Sequence, residues 1–87
     1  MRQPADWMTP MDDRILEVLD AGLVLSPTII AYNIDRSREA VGRRLSVLSE
    51  AGLTERIERG RYKICEAGRT YLAGDVDSDE LENMYSQ

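Results

Sequence analysis

At Gly52 the hydrophobic period of this chain changes. Upstream, Val41, Leu45 and Leu48 recur at i, i+4 and i+7; downstream, Leu53, Glu55 and Ile57 alternate with Thr54, Arg56 and Glu58. A switch from about 3.6 to about 2 residues per repeat at a glycine takes the chain from a helix straight into a sheet. Ser37, a favoured helix-start residue, and Gly52, favoured just past a helix end, bound the helical part at 37–51. Counted at about 100° per residue from Val41, Arg43 falls near 200°, opposite the stripe, with Glu39 near 160° and Ser46 near 140°. Arg38 and Arg44 come out nearer the stripe edges, at about 60° and about 300°. One face suits a small core, and the other offers a guanidinium among small neighbours. A helix meant for a DNA major groove is built this way, and so are many ordinary surface helices.

The rest of the chain narrows the choice. Residues 1–8 show no periodicity and are expected to form a loose arm, with Trp7 as its large apolar group. Thr9-Pro10 reads as an N-cap followed by proline at the first helical position, and Asp12 and Asp13 suit the positive end of the helix dipole. Met11, Ile15, Val18 and Leu19 then recur with helical spacing up to Gly22, so a first helix is predicted over 10–21. Leu23-Val24-Leu25 is a short buried strand or a tight connector. Ser26-Pro27 repeats the capping signal and starts a helix over 27–32, with Ile29 and Ile30 inward and Asn33 suited to stop it. A short helix, a turn and the 37–51 helix make a helix-turn-helix pattern.

Beyond Gly52, two alternating runs around Arg59-Gly60 read as a hairpin, with Tyr62 and Ile64 sharing a face. Arg59, Arg61 and Lys63 put positive charge on its tip and outer face, a pattern that also merely solubilises an exposed hairpin. Glu66–Ala73 is a short last helix whose internal Gly68 costs about 1 kcal/mol against Ala, so it must lean on tertiary packing. Residues 75–87 are acidic; they are either disordered or a marginal helix with Leu81, Met84 and Tyr85 on one side. Three segments result: an arm at 1–8, one domain at 9–74 and an acidic tail at 75–87.

Composition removes most enzyme classes. The 87 residues contain no His and a single Cys, Cys65, so a zinc site, an intrachain disulfide and the commonest general base are all absent. No phosphate-binding glycine loop or nucleophile elbow occurs, and neither an enzyme nor a cofactor is expected. Cys65 itself reads as a small buried residue. No apolar run reaches the roughly 18–20 residues of a membrane span, and no secretory pattern opens the chain; a soluble, cytoplasmic protein is the expectation.

Net charge is −5, at first sight unfavourable to a nucleic-acid partner, yet eight of the eleven cations fall within residues 36–63. Only Lys63 among these cations is lysine. Excess acid with almost no lysine resembles proteins of halophiles that balance external salt with internal salt.

The strings SREAVGRRLSVLSEAGL and ERIERGRYKICEAGRTYLAG, preceded by SPTIIAYNID, resemble the recognition helix, wing and last helix of winged helix-turn-helix regulators. Within that group the set is most similar to the small haloarchaeal phage phi-H repressor-like proteins. The resemblance covers roughly residues 10–74. It implies a mainly helical α+β fold in the order α-β-α-α-β-β-α and a DNA-binding, repressor-like archaeal regulator. It departs at Cys65, where such proteins usually carry a capping Thr. The resemblance further implies that Arg36, Ser37, Arg38, Glu39, Gly42, Arg43, Arg44 and Ser46 face double-stranded DNA, with Arg59, Arg61 and Lys63 gripping the adjacent backbone or minor groove. Arg44 serves equally well, on its angle, an acid within the fold. A homodimer is expected through Trp7, Met8 and Met11 or through Leu81, Met84 and Tyr85, although the same groups also suit the open edge of the core. The alternative is a winged-helix module that docks its basic side on an acidic protein.

Overall fold

A computed structural model describes residues 4–22 and 24–74. Four helices and one hairpin follow in order: α1 (Pro10–Gly22), α2 (Pro27–Ile34), α3 (Arg38–Glu50), β1 (Thr54–Ile57), β2 (Arg61–Ile64) and α4 (Glu66–Ala73). β1 and β2 pair antiparallel, with Thr54 opposite Ile64 and Ile57 opposite Arg61. The fold is a winged helix, mainly helical, as expected from the sequence.

Of the 23–25 stretch, read as a short strand or a tight connector, Leu23 lies outside the described residues and Leu25 forms a bridge. Leu25 exchanges both backbone bonds with Tyr62, at 3.0 and 2.8 Å, and no further pair forms among the described residues. The reason is local. Val24 is 39% exposed on a bend, and Ser26-Pro27 already begin α2, so the chain cannot follow β2 for a second step. The sheet therefore has two strands with a bridge at its edge.

Each helix end has a chemical cause. Ser26 Oγ accepts from Ile29 N–H at 3.3 Å, and Ser37 Oγ accepts from Ala40 N–H at 3.1 Å. Thr9 behaves differently: its N–H donates to Asp12 Oδ2 at 3.0 Å, while its buried hydroxyl makes no capping bond. α2 continues past Asn33 and stops at Asp35, which takes the left-handed conformation (φ 57°); the Asn33 amide instead donates back to Ile29 O at 2.9 Å. α3 ends in a Schellman motif. Gly52 (φ 81°) bonds to Ser49 O, and Leu53 N–H reaches Leu48 O at 2.9 Å. That motif turns the chain into β1 with Leu53 already wholly buried.

The core sits where the helices meet the inner face of the hairpin. Val41, Leu45 and Leu48 are completely buried, as their spacing predicts, together with Ile15, Leu16, Leu19, Ile30 and Tyr71. Two helices are rolled relative to expectation. On α1 the buried arc centres on Asp12, Ile15, Leu16 and Leu19, with Met11 and Val18 at its flanks, because α1 packs against α2, α3, α4 and β2 together. On α2, Ile30, Ala31 and Ile34 point inward, whereas Ile29 is 49% exposed. Residues 4–8, expected to be loose, form a turn: Met8 N–H bonds to Ala5 O at 3.0 Å, Ala5 is buried, and Trp7 and Met8 pack on the core with Met11. β1 also departs from strict alternation. Thr54 is buried beside Leu53 because its hydroxyl bonds to Ser49 Oγ at 2.8 Å, beneath the end of α3.

Candidate nucleic-acid interface

α3 presents one polar face from a helix whose opposite side is locked in the core. Ser37, Arg38, Glu39, Arg43 and Ser46 are exposed along it, and Arg36 is exposed in the turn just before it. Arg36 is steadied by its own turn, donating from Nη1 to Asp35 O at 3.0 Å. Ser46 folds its hydroxyl back onto Gly42 O at 3.3 Å, so it offers a compact surface. At Gly42 a Cβ would meet nothing within 4 Å, which leaves an open notch in the helix surface beside Arg43.

Arg44 is diverted. Its Nε donates to Asp12 Oδ1 at 2.9 Å, its Nη2 donates to Asp12 Oδ2 at 2.8 Å, and Nη2 also reaches Trp7 O at 3.1 Å. Asp12 has no exposed surface and the Arg44 side chain is 23% exposed. Of the two destinations open to Arg44 on its helical angle, the fold takes the internal acid. Burial adds to the role of Asp12 at the positive end of the α1 dipole: a carboxylate with no exposure requires a partner, and Arg44 supplies a two-pronged one. Pattern reasoning missed the pair because Asp12 has a sufficient local role at a helix start and its partner lies 32 residues away.

Arg36, Ala40, Arg43 and Arg44 form one wall of a groove of about 410 Å³, and Thr9, Pro10 and Met11 form the other. Two exposed guanidiniums, Arg36 and Arg43, thus line the seam between α3 and the start of α1, above a third that is neutralised.

The hairpin that follows is short and its tip is strained. Arg59 (φ 63°, ψ 27°) and Gly60 (φ 69°) lie in succession in the left-handed region, and Arg61 N–H closes the turn on Glu58 O. Glycine meets that demand without penalty; an arginine does so at a cost of roughly 1–2 kcal/mol. Arg59 and Arg61 are exposed. Lys63 is exposed too but lies 3.5 Å from Glu55 across the strands, a loose pair with both side chains about half open to solvent. The cross-strand register places Glu55, Ile57, Arg61 and Lys63 on the outer face and Thr54 and Ile64 on the inner one.

Cys65, between β2 and α4, gives no side-chain cap to that helix, as its departure from Thr implies. It is partly rather than fully buried, and desolvation, helped by the Glu55 carboxylate, pushes its thiol above the ordinary value against the opposing pull of Lys63 and Arg69. Among the described residues there is no cluster of acids or thiols able to hold a metal and no helix long and apolar enough to cross a membrane.

Comparison with known proteins places this geometry. The model of a family described as winged helix-turn-helix phage repressor matches residues 1–84. The repressor protein of Halobacterium phage phiH is 36% identical over 87 residues, spanning 94% of this chain and 98% of that protein. The crystal structure of the PhiH1 repressor-like protein from Haloarcula marismortui superposes with a TM-score of 0.80 at 38% identity, covering 90% of this chain and 91% of that one. A transcriptional repressor, CouR, bound to p-coumaroyl-CoA shares the fold at a TM-score of 0.70 and 23% identity, over 92% of this chain and 54% of that one.

Proposed function

Starting from a chain that belongs to the winged helix-turn-helix phage repressors, we propose that it is a sequence-specific, double-stranded DNA-binding transcriptional regulator acting in the cytoplasm. α3 lies in the major groove. Arg43 donates two hydrogen bonds to O6 and N7 of a guanine, the pairing its fork geometry fits best. Gly42 and the folded-back Ser46 let the helix backbone approach the base edges, with Ser37 and Glu39 bordering the contact. Arg36 and Arg38 meet phosphates at the α3 N-terminus, where the helix dipole assists. Arg59 at the wing tip, with Arg61 and Lys63 behind it, holds the neighbouring backbone or minor groove.

The observation that carries this reading is the contrast between Arg43 and Arg44. Adjacent in the chain, one guanidinium is bound within the fold and the other is left exposed on the outer face of α3. Nothing in the folding of the helix requires the exposed one.

A homodimer on DNA follows from reach, since one recognition helix covers only a few base pairs. The candidate seams are Trp7, Met8 and Met11, which pack on their own core while staying partly exposed, or Leu81, Met84 and Tyr85, which lie outside the described residues. The net charge of −5 is compatible with this function at the salt concentrations of a haloarchaeal host. In molar salt the Debye length is about 3 Å, so acidic surfaces away from the duplex repel it little and base contacts carry more of the selectivity. Fluorescence anisotropy with a duplex bearing the selected site tests the assignment: Arg43→Ala weakens binding by about 1–3 kcal/mol while leaving the thermal midpoint unchanged. Equal and weak binding of both proteins to any duplex would refute direct readout by this helix.

A further inference from the structure

We propose that the Arg44–Asp12 pair is the positioning element for base readout, setting the rotation of α3 about its axis and thereby the place where Arg43 meets the duplex. The inference rests on the DNA-binding reading above. A helix with its side chains is about 10–12 Å across, so a roll of 10° moves a surface group by roughly 1 Å. Two-pronged recognition of a base tolerates about 0.5 Å. The buried stripe Val41, Leu45 and Leu48 holds α3 down by a force without direction. The guanidinium fork is directional: two bonds fix its plane against Asp12, and a third reaches Trp7 O. Asp12 is itself fixed, because Oδ2 also accepts from Thr9 N–H. One side chain of α3 is thereby tied to the first turn of α1 and to the turn before it, and the next residue back along the helix is Arg43.

Burial matters as much as geometry. The exposed pairs Lys63–Glu55 and Arg69–Asp20, at 3.5 and 3.6 Å, stand in solvent and fade as salt screens them. Asp12 has no contact with solvent, so the lock on α3 persists in the salt that weakens those pairs. Arg44 is thus a positioning residue acting through Arg43, without itself touching DNA.

The test measures the ratio of affinities for a selected duplex and a scrambled one, in molar salt, with the full chain. A loss of folded protein lowers both affinities by the same factor and leaves their ratio unchanged, so the ratio does not respond to a merely structural role. The decisive variant is Arg44→Met with Asp12→Leu, which replaces the pair by apolar groups of similar volume. The expected result is a ratio at least tenfold below wild type. Should that variant fail to fold, Arg44→Lys, which keeps a charge against Asp12 but not the fork, carries the same criterion. A ratio retained to within tenfold overturns the positioning role while leaving the DNA-binding reading intact. A wild-type ratio near one overturns that reading itself, and the inference with it.

Discussion

Arg59 occupies the apex of the hairpin in a backbone conformation that an arginine adopts only at a cost, and it does so next to a glycine that adopts the same region freely. Strain held at such a position has a use if the side chain does work there. Arg59→Gly is accordingly expected to raise stability by about 1 kcal/mol in urea unfolding and, at the same time, to weaken duplex binding. A gain in stability with unchanged binding would remove the wing tip from the interface. At Cys65 the relevant property is the raised thiol pKa. Alkylation needs the thiolate, and desolvation disfavours it, so iodoacetamide should react at pH 8 more slowly than with an unhindered thiol. The rate should keep climbing at higher pH after a free thiol has levelled off. Individual residues were unequally legible from sequence. Ser37 and Gly52 were, because caps act within a few positions of themselves. Asp12 was not, because pattern reading treats any aspartate in a first helical turn as surface, and only the tertiary fold brings Arg44 to it.

Among the elements, α4 depends most on its neighbours. It is 8 residues long, lacks a side-chain cap and contains Gly68. A Cβ at that position would stand 2.5 Å from Leu53 O and 2.6 Å from Ile64 Cγ1, so the glycine exists to let α4 press against the entry to the hairpin. Gly68→Ala should therefore destabilise the protein, by about 1–3 kcal/mol, even though alanine is the better helix former by about 1 kcal/mol. A stabilised variant in thermal or urea unfolding would contradict that packing. The need for tertiary support in α4 was readable from its glycine, but the atom that demands the glycine was not. The same division holds for the other elements. Helices announced by Ser-Pro and by a 3.6-residue stripe were placed to within a few residues. For 23–25 the apolar triplet leaves strand and tight connector open, because it does not reveal that a proline cap follows too closely for a ladder to form beyond the Leu25 bridge. The sequence offers Asn33 as the stop of α2, whereas the left-handed position falls to Asp35; both residue types tolerate it, and the packing of Ile34 into the core decides between them.

For the whole molecule, the organising property is the separation of charge. The 36–63 stretch contains eight of the eleven cations, and folding puts most of them on one polar face of α3 and along the hairpin. The acidic remainder lies in the segments before and after. Family membership, the winged-helix architecture and an outward guanidinium on α3 all point to duplex DNA, and two-fold pairing would let two copies of α3 read half-sites about one helical turn apart. The most direct measurement of that claim is selection of bound sequences from a random duplex pool in molar salt, run in parallel with wild type and Arg43→Ala. The account predicts that wild type enriches a short motif containing guanine, repeated with two-fold symmetry, and that Arg43→Ala loses the preference at that guanine alone. Recovery of the same motif by both proteins, or of no motif by either, would contradict it.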